Sequence, residues 1–316
     1  MPRAYVSDSI PTDIIEPLAR VAELEIWEGE GHVPRRVLMK GVSRCEGWLS
    51  MLTDRIDTEL LDAAPGLIVI SQMSVGVDNI DVEACRQRGI AVGHTPDVLT
   101  ETVADTAFAL MAAVVRRLPE AERMVKSGAW GPWDPWYFLG GDLHGSTLGV
   151  IGMGRIGQAI ARRAIGFDMR VVYASRTARE TASATPVDLD SLLTGADIVV
   201  LAVPLSTETR GMIGRDQLQR MKKDAVLVNI ARGPLVDTEA LLEALAAGSI
   251  GGAALDVTDP EPLPPDHPLL NLPNCLVVPH IGSASVNARR AMAQLAVDNL
   301  VAGLTGEPMP ARLEGT

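Results

Sequence analysis

TLGVIGMGRIGQAIARRA, Thr147–Ala164, is the stretch on which the fold turns. TLGVI reads as a strand and RIGQAIARRA as a helix, and between them Gly152, Gly154 and Gly157 spell GxGxxG. The glycine string by itself is a weak signal, because an incidental glycine turn satisfies it. Strand before and helix after make it the fingerprint of a dinucleotide-binding unit. Gly152 permits the tight turn, Gly154 lets the backbone approach a pyrophosphate, and Gly157 allows helix to pack on strand. The pyrophosphate is expected at the helix N-terminus, where unbonded N–H groups and the helix dipole favour an anion.

The next strand is RVVYAS, and an NAD-specific protein usually presents Asp or Glu just after it to hold the ribose hydroxyls. Here Ser175, Arg176, Thr177 and Arg179 stand instead. A carboxylate would repel a 2′-phosphate, whereas guanidinium groups beside hydroxyls bind one through charge-assisted hydrogen bonds. The expected cofactor is therefore NADP(H), with NAD(H) as the weaker alternative. Exposed arginines on a loop after a strand are the plain structural reading of the same residues.

Outward from this unit the chain keeps alternating. Before it come AYVS, PTDIIEPLARV, ELEIW, GWLSML, DTELLDAA, LIVISQ, DVEACRQRG and IAVGHTP; after it come DIVVLAVP, RDQLQRM, AVLVNIA, DTEALLEALAAG, IGGAALDV and NCLVVPH. Strands alternating with helices mean βαβ units and parallel sheets. The expected fold class is α/β with two domains: a flavodoxin-like substrate domain from residues 1–97 and 286–316, and a Rossmann domain from 98–285. Asp97 to about Ser127 reads as one long helix with a broad apolar face. SVNARRAMAQLAVDNLVAGL reads as an amphipathic closing helix, with Met292, Leu295, Ala296, Leu300 and Leu304 at helical spacing. Residues 128–145, rich in Gly, Pro and Trp and without periodicity, read as an ordered loop. Its large rings are expected to be covered, either by a partner subunit or by their own domain.

Composition narrows the function classes. The 316 residues are 47% hydrophobic and 22% charged, which suits ordinary globular domains, and the net charge of −12 disfavours nucleic acid as a partner. The longest apolar runs fall far below the roughly 20 residues that cross a bilayer, and the N-terminus has no basic-then-apolar leader, so the expected location is the cytoplasm with no membrane partner. Cys45, Cys85 and Cys275 have no CxxC spacing and read as buried free thiols; no metal site is expected. Paired arginines such as Arg35/Arg36, Arg116/Arg117, Arg162/Arg163 and Arg289/Arg290 read as solvated helix faces. His32, His94, His144 and His267 carry no context that assigns them a role.

Three segments after the fingerprint bear the chemistry: NIARGPLVD (Asn229–Asp237), DVTDPEPLP (Asp256–Pro264) and PHIGSAS (Pro279–Ser285). Each follows a strand end, where open parallel sheets bind ligands. With SVGVDNID (Ser74–Asp81) and TPDVLTETVAD (Thr95–Asp105), they make the chain resemble the D-isomer-specific 2-hydroxyacid dehydrogenase family along nearly its whole length. GRIGQAIARR, the arginine-bearing turn, LDVTDPEPLPPDHPLL and NLVAGLTGEPMP are similar to its glyoxylate/hydroxypyruvate reductase branch in particular.

The resemblance implies roles. Arg232 becomes the substrate arginine, His280 the acid/base and Glu261 its partner, and the backbone of Val75 and Gly76 receives the substrate carboxylate. Gly154, Arg155 and Ile156 contact the pyrophosphate, Pro204 and Ile230 line the cofactor site, Asp256 lies near the nicotinamide and Gly282 beside the active site. Met51, Leu52 and Trp133 set the pocket, Trp133 from a loop reaching toward a second copy in a homodimer, with Trp130 and Trp136 as the alternatives for that tryptophan. Ser74 departs from the glycine that much of the family has there, which alters the pocket's shape. Taken singly, Arg232, Glu261 and His280 each have a structural reading as a strand-end, turn or core residue.

The chemistry fits those residue types. Reducing a 2-oxo acid needs hydride at the carbonyl carbon and a proton at its oxygen. An imidazolium supplies the proton, a carboxylate on its other nitrogen stabilises the charged ring, and an arginine binds the carboxylate and polarises the carbonyl. The expectation is NADPH-dependent reduction of glyoxylate to glycolate and of hydroxypyruvate to D-glycerate, with hinge closure excluding water and activity weakening at alkaline pH. The alternatives are a reductase for another 2-oxo acid, such as phenylpyruvate or pyruvate, and a non-enzymatic dinucleotide-sensing protein.

Overall fold

In the computed structural model, which describes residues 1–177, 179 and 184–316, the short aliphatic runs become strands of two parallel sheets. The chain divides into two units, residues 1–99 with 284–316 and residues 100–283. The first holds β1 (Arg3–Val6), β2 (Glu23–Ile26), β3 (Gly47–Ser50), β4 (Val69–Gln72) and β5 (Ala91–Gly93), in the order β2-β1-β3-β4-β5. Every pairing is parallel, and the order is the flavodoxin-like one. Strands β3 and β4 are buried along their length because helices cover both faces, which is why their sequences are continuous rather than alternating. On one face Leu49 and Val69 pack with Ala293, Ala296, Val297 and Leu300 of the closing helix Val286–Thr305. On the other, Trp48 and Ile70 pack with Leu38, Leu60 and Cys85.

The second unit holds β6 (Thr147–Ile151), β7 (Arg170–Ala174), β8 (Thr185–Pro186), β9 (Ile198–Leu201), β10 (Val226–Asn229), β11 (Gly252–Leu255) and β12 (Cys275–Val277). Its order is β12-β11-β10-β9-β6-β7-β8, all parallel. The direction of winding reverses at β6, so the crevice at the carboxyl ends of β6 and β9 is the topological switch point of a Rossmann sheet.

One helix expected from Asp97 to Ser127 is two, Thr100–Val115 and Leu118–Lys126. Arg117 stands between them with φ of 54°, and Pro119 follows in the first turn of the second helix. A proline inside one continuous helix would clash with the carbonyl four residues back and lack its own N–H. That carbonyl, on Val115, accepts instead from the Gly141 amide at 3.0 Å. A short helix, Arg35–Val42, opens after Pro34 and carries the Arg35/Arg36 pair read as a helix face, although the alternating series of strands and helices includes no segment there.

Residues 128–145 contain no helix or strand. Phe138 meets Tyr137 edge to face and lies under the Arg117 guanidinium, 5.1 Å from the ring centre. Of the two coverings expected for the tryptophans, their own domain does not supply one: Trp130, Trp133 and Trp136 are exposed on the chain, Trp133 by 86%.

Arg162 and Arg163 pair with Glu101 at 2.6 Å and Asp105 at 2.7 Å on the helix Thr100–Val115, a structural use of that basic pair. The three cysteines are free and buried, and burial pushes the Cys45 and Cys85 thiols up to about 11 and Cys275 to about 12. Among the described residues no helix is long and apolar enough to cross a membrane.

Candidate active site

At the carboxyl end of the buried strand β6 the chain turns at Gly152, whose φ is 101°. A side chain there would strike the Ala202 carbonyl, with Cβ only 2.5 Å from its oxygen. Gly157 is equally constrained, since its Cβ would stand 2.0 Å from the Gly152 oxygen. Gly154 differs: nothing lies within 4 Å of the place its Cβ would occupy. It is the N-cap of the helix Arg155–Ala164, and no side chain caps that helix. The first amides of a helix have no intrahelical acceptor, so the turn offers N–H groups and an open approach together. This cradle fits the pyrophosphate of a dinucleotide, with Arg155 and Ile156 in the helix's first turn.

The loop after β7 carries Ser175, Arg176, Thr177 and Arg179, all exposed. Buried Tyr173 reaches from the strand into it, its hydroxyl accepting from the Arg179 amide and donating to the Arg179 carbonyl, both at 2.9 Å. Pro204 lies just beyond β9 and is exposed, whereas Ile230, just beyond β10, is buried. Glu208, on the turn after β9, is held below the usual carboxylate range by the Ser206 hydroxyl first, then its own backbone and Thr207, with the Arg176 charge contributing.

Beyond β10, β11 and β12 the side chains spend their bonds on backbone. Asn229, buried at the end of β10, donates to the Arg232 carbonyl at 2.8 Å and accepts from the Ala231 amide at 3.1 Å, holding the turn in which Arg232 sits. Arg232 is half-buried, and its Nη1 donates to the Ala231 carbonyl at 2.8 Å. Asp256, buried at the end of β11, accepts from the amides of Ile281 at 2.7 Å and Gly282 at 2.9 Å. Burial raises its pKa, against those two amides. The His280 amide is 2.8 Å from the Asp256 carbonyl, and His280 itself has φ of 52°, a conformation few residues other than glycine adopt.

His280 Nδ1 lies 2.6 Å from Glu261 Oε1. Burial opposes ionisation of Glu261, but the His280 hydrogen bond and charge, the Thr258 amide and the Arg232 charge outweigh it and hold the carboxyl below its ordinary value. An ionised Glu261 accepts only, so Nδ1 carries the proton and Nε2 is the ring atom left to exchange one. Arg232, Glu261 and His280, distant in sequence, thus come together at one end of the second sheet.

In the first unit, Met51 and Leu52 follow β3 and Val75 and Gly76 follow β4. His94, to which the sequence assigned no role, has Nδ1 3.0 Å from the Val75 carbonyl. Asn229 likewise went unnoticed. Its signal was available, as an amide side chain ending a buried strand three residues before an arginine. The His94 contact had none, because its partner is a carbonyl brought near only by the pairing of β4 with β5.

A model of the D-isomer specific 2-hydroxyacid dehydrogenase NAD binding domain matches residues 108–282. A glyoxylate reductase of Thermococcus kodakarensis is 47% identical over 317 residues, covering 98% of this chain and 95% of its own. A crystal structure of a Thermus thermophilus protein superposes with a TM-score of 0.94 at 49% identity, over 98% of this chain and 99% of that one. A crystal structure described as an NADPH-dependent glyoxylate/hydroxypyruvate reductase of Sinorhizobium meliloti with NADP and malonate has a TM-score of 0.86 at 36% identity, over 100% of this chain and 97% of that one.

Proposed function

Because the chain belongs to the D-isomer specific 2-hydroxyacid dehydrogenase family, we propose that it reduces glyoxylate to glycolate and hydroxypyruvate to D-glycerate, with NADPH as the preferred reductant. One observation carries the reading: a histidine bonded through Nδ1 to a carboxylate at 2.6 Å, beside an arginine, at the carboxyl ends of a dinucleotide-type sheet. The names of the Thermococcus and Sinorhizobium relatives support the substrates, and the second supports the nucleotide.

The bound nicotinamide supplies hydride, and the remaining work belongs to the protein. Arg232 binds the carboxylate of the 2-oxo acid and polarises its carbonyl, with the amides of Val75 and Gly76 as further carboxylate donors. His280, protonated, donates from Nε2 to the carbonyl oxygen as negative charge develops there, and Glu261 stabilises the imidazolium and fixes the ring. Asp256 orients the Ile281–Gly282 turn next to His280. Arg176 and Arg179, with Ser175 and Thr177, take the 2′-phosphate; Pro204 and Ile230 line the nucleotide site. Met51, Leu52 and Trp133 shape the space for the substrate's side group. The same reading includes pairing of two copies, supported by the exposed Trp130, Trp133 and Trp136.

The test is the initial rate of NADPH and, separately, NADH oxidation against glyoxylate, hydroxypyruvate, pyruvate and phenylpyruvate. Faster NADPH turnover with the two small acids is expected. Preference for NADH would remove the phosphate role of Arg176 and Arg179, preference for phenylpyruvate would replace the substrate, and no turnover with any acid would favour a dinucleotide sensor.

A further inference from the structure

The loops proposed to meet the substrate in the first unit, Met51–Leu52 and Val75–Gly76, rest on polar side chains that the reaction itself leaves unexplained. Ser50, Asp54, Gln72 and Ser74 are all buried. Burying such groups is costly unless each is bonded. Their bonds run in one connected set. Ser50 Oγ donates to Gln72 Oε1 at 2.8 Å. Gln72 Nε2 donates to Asn79 Oδ1 at 2.5 Å and approaches the Gly76 carbonyl at 3.3 Å. Asn79 Nδ2 donates to the Asp54 carbonyl at 2.7 Å and lies 3.4 Å from that of Met51. Asp54 Oδ2 accepts from the Met51 amide at 2.8 Å.

The carbonyls of the second loop are fixed one after another. The Ser74 carbonyl accepts from the Thr95 amide at 2.8 Å, the Val75 carbonyl from His94 Nδ1 at 3.0 Å, and the Gly76 carbonyl from Ser74 Oγ at 2.5 Å. A trans peptide is planar, with its N–H directed opposite to the preceding carbonyl. Holding the Ser74 carbonyl therefore aims the Val75 amide, and holding the Val75 carbonyl aims the Gly76 amide. These are the two donors proposed for the substrate carboxylate.

We propose that His94 aims the Gly76 amide by holding the Val75 carbonyl, and that Gln72, Asn79 and Asp54, with Ser74, form a positioning network that holds the Gly76 carbonyl behind those donors and ties this turn to the Met51–Leu52 loop. Carboxylate affinity and selectivity for the substrate's side group are then set by one connected support. This rests on the reading of the two loops as substrate contacts, while the geometry of the network is independent of it.

The experiment compares Asn79→Ala, His94→Ala and His94→Asn. Asn is chosen because its Nδ2 stands where the histidine Nδ1 does. Two readouts are taken: kinetics with glyoxylate and hydroxypyruvate, and hydrogen exchange of the amides in residues 51–54 and 74–77. His94→Ala should raise KM for both acids about tenfold, the scale of one lost hydrogen bond, leaving kcat and the KM for NADPH within about twofold. His94→Asn should recover most of that loss. Asn79→Ala should raise KM, change the ratio between the two acids, and speed exchange in both loops, whereas His94→Ala should speed it only in residues 74–77.

Unchanged exchange at residues 51–54 in Asn79→Ala would overturn the coupling. A fall in kcat with KM unchanged, or no rescue by His94→Asn, would overturn the positioning role. If Asn79→Ala does not fold, Asn79→Ser, which keeps a shorter hydrogen-bonding group, takes its place in the exchange experiment. If the wild-type protein reduces neither acid, the exchange result still judges the network, and the function alone fails.

Discussion

The end of the second sheet at β10–β12 and the end at β7 are built to different tolerances. At the first, Asn229 and Asp256 are buried and give their side-chain bonds to the turns that carry Arg232 and His280, and Glu261 bonds His280 directly. At the second, Ser175, Arg176, Thr177 and Arg179 are exposed, and Tyr173 ties only the backbone of Arg179. On the proposed function this difference has a reason: proton transfer demands fixed angles between reacting atoms, which favours residues locked before any ligand arrives. A phosphate can be gathered by long cationic side chains that settle on it afterwards, at a cost in ordering entropy.

The comparison breaks most sharply at His280. His280→Ala should lower kcat by roughly a thousandfold, within the usual range for removing a general acid. Nucleotide affinity, measured by titrating NADPH fluorescence, should hardly move; retained turnover would mean that the locked end is not where the proton comes from. At the looser end, replacing Arg176 and Arg179 together by Ala should raise the KM for NADPH by about ten- to a hundredfold, the scale of charge-assisted hydrogen bonds lost to a phosphate. The KM for NADH should stay put, and an equal rise for both nucleotides would place those arginines elsewhere than on the 2′-phosphate.

The smallest effect concerns stability. Glu261 has a folded pKa below its unfolded one, so its contribution is present above the ordinary carboxylate range and is lost as pH falls through the lowered value. Denaturant midpoints of the wild type and Glu261→Gln should therefore converge as pH drops below about 4. The gap above that range should be under ~1 kcal/mol, because water screens a carboxylate this exposed. A gap that widens in acid would reverse the sign assigned to the His280–Glu261 pair.

Much of the second unit was legible from the sequence because its signals are local. The glycine turn lies between its own strand and helix, and each of the three later segments follows a strand of aliphatic residues. The break between Val115 and Leu118 was missed because the apolar face continues across it, although Pro119 marked the place. The helix Arg35–Val42 showed itself only in its Arg35/Arg36 pair because no side chain caps it, whereas the shorter helices Thr58–Asp62 and Val82–Gln87 open on the capping residues Asp57 and Asp81. His94 and Asn79 were opaque for another reason: they act on carbonyls, and a carbonyl has no letter in the sequence.

The turn that bears Arg232 also touches the one leading to Glu261, backbone against backbone. A methyl group on Gly233 would stand 1.9 Å from the Thr258 oxygen, closer than any packing allows. Anyone redesigning this chain for a new acid therefore inherits the two turns as a single part. Libraries that diversify around position 232 must leave 233 as glycine, and a graft of one turn without its mate would arrive misshapen.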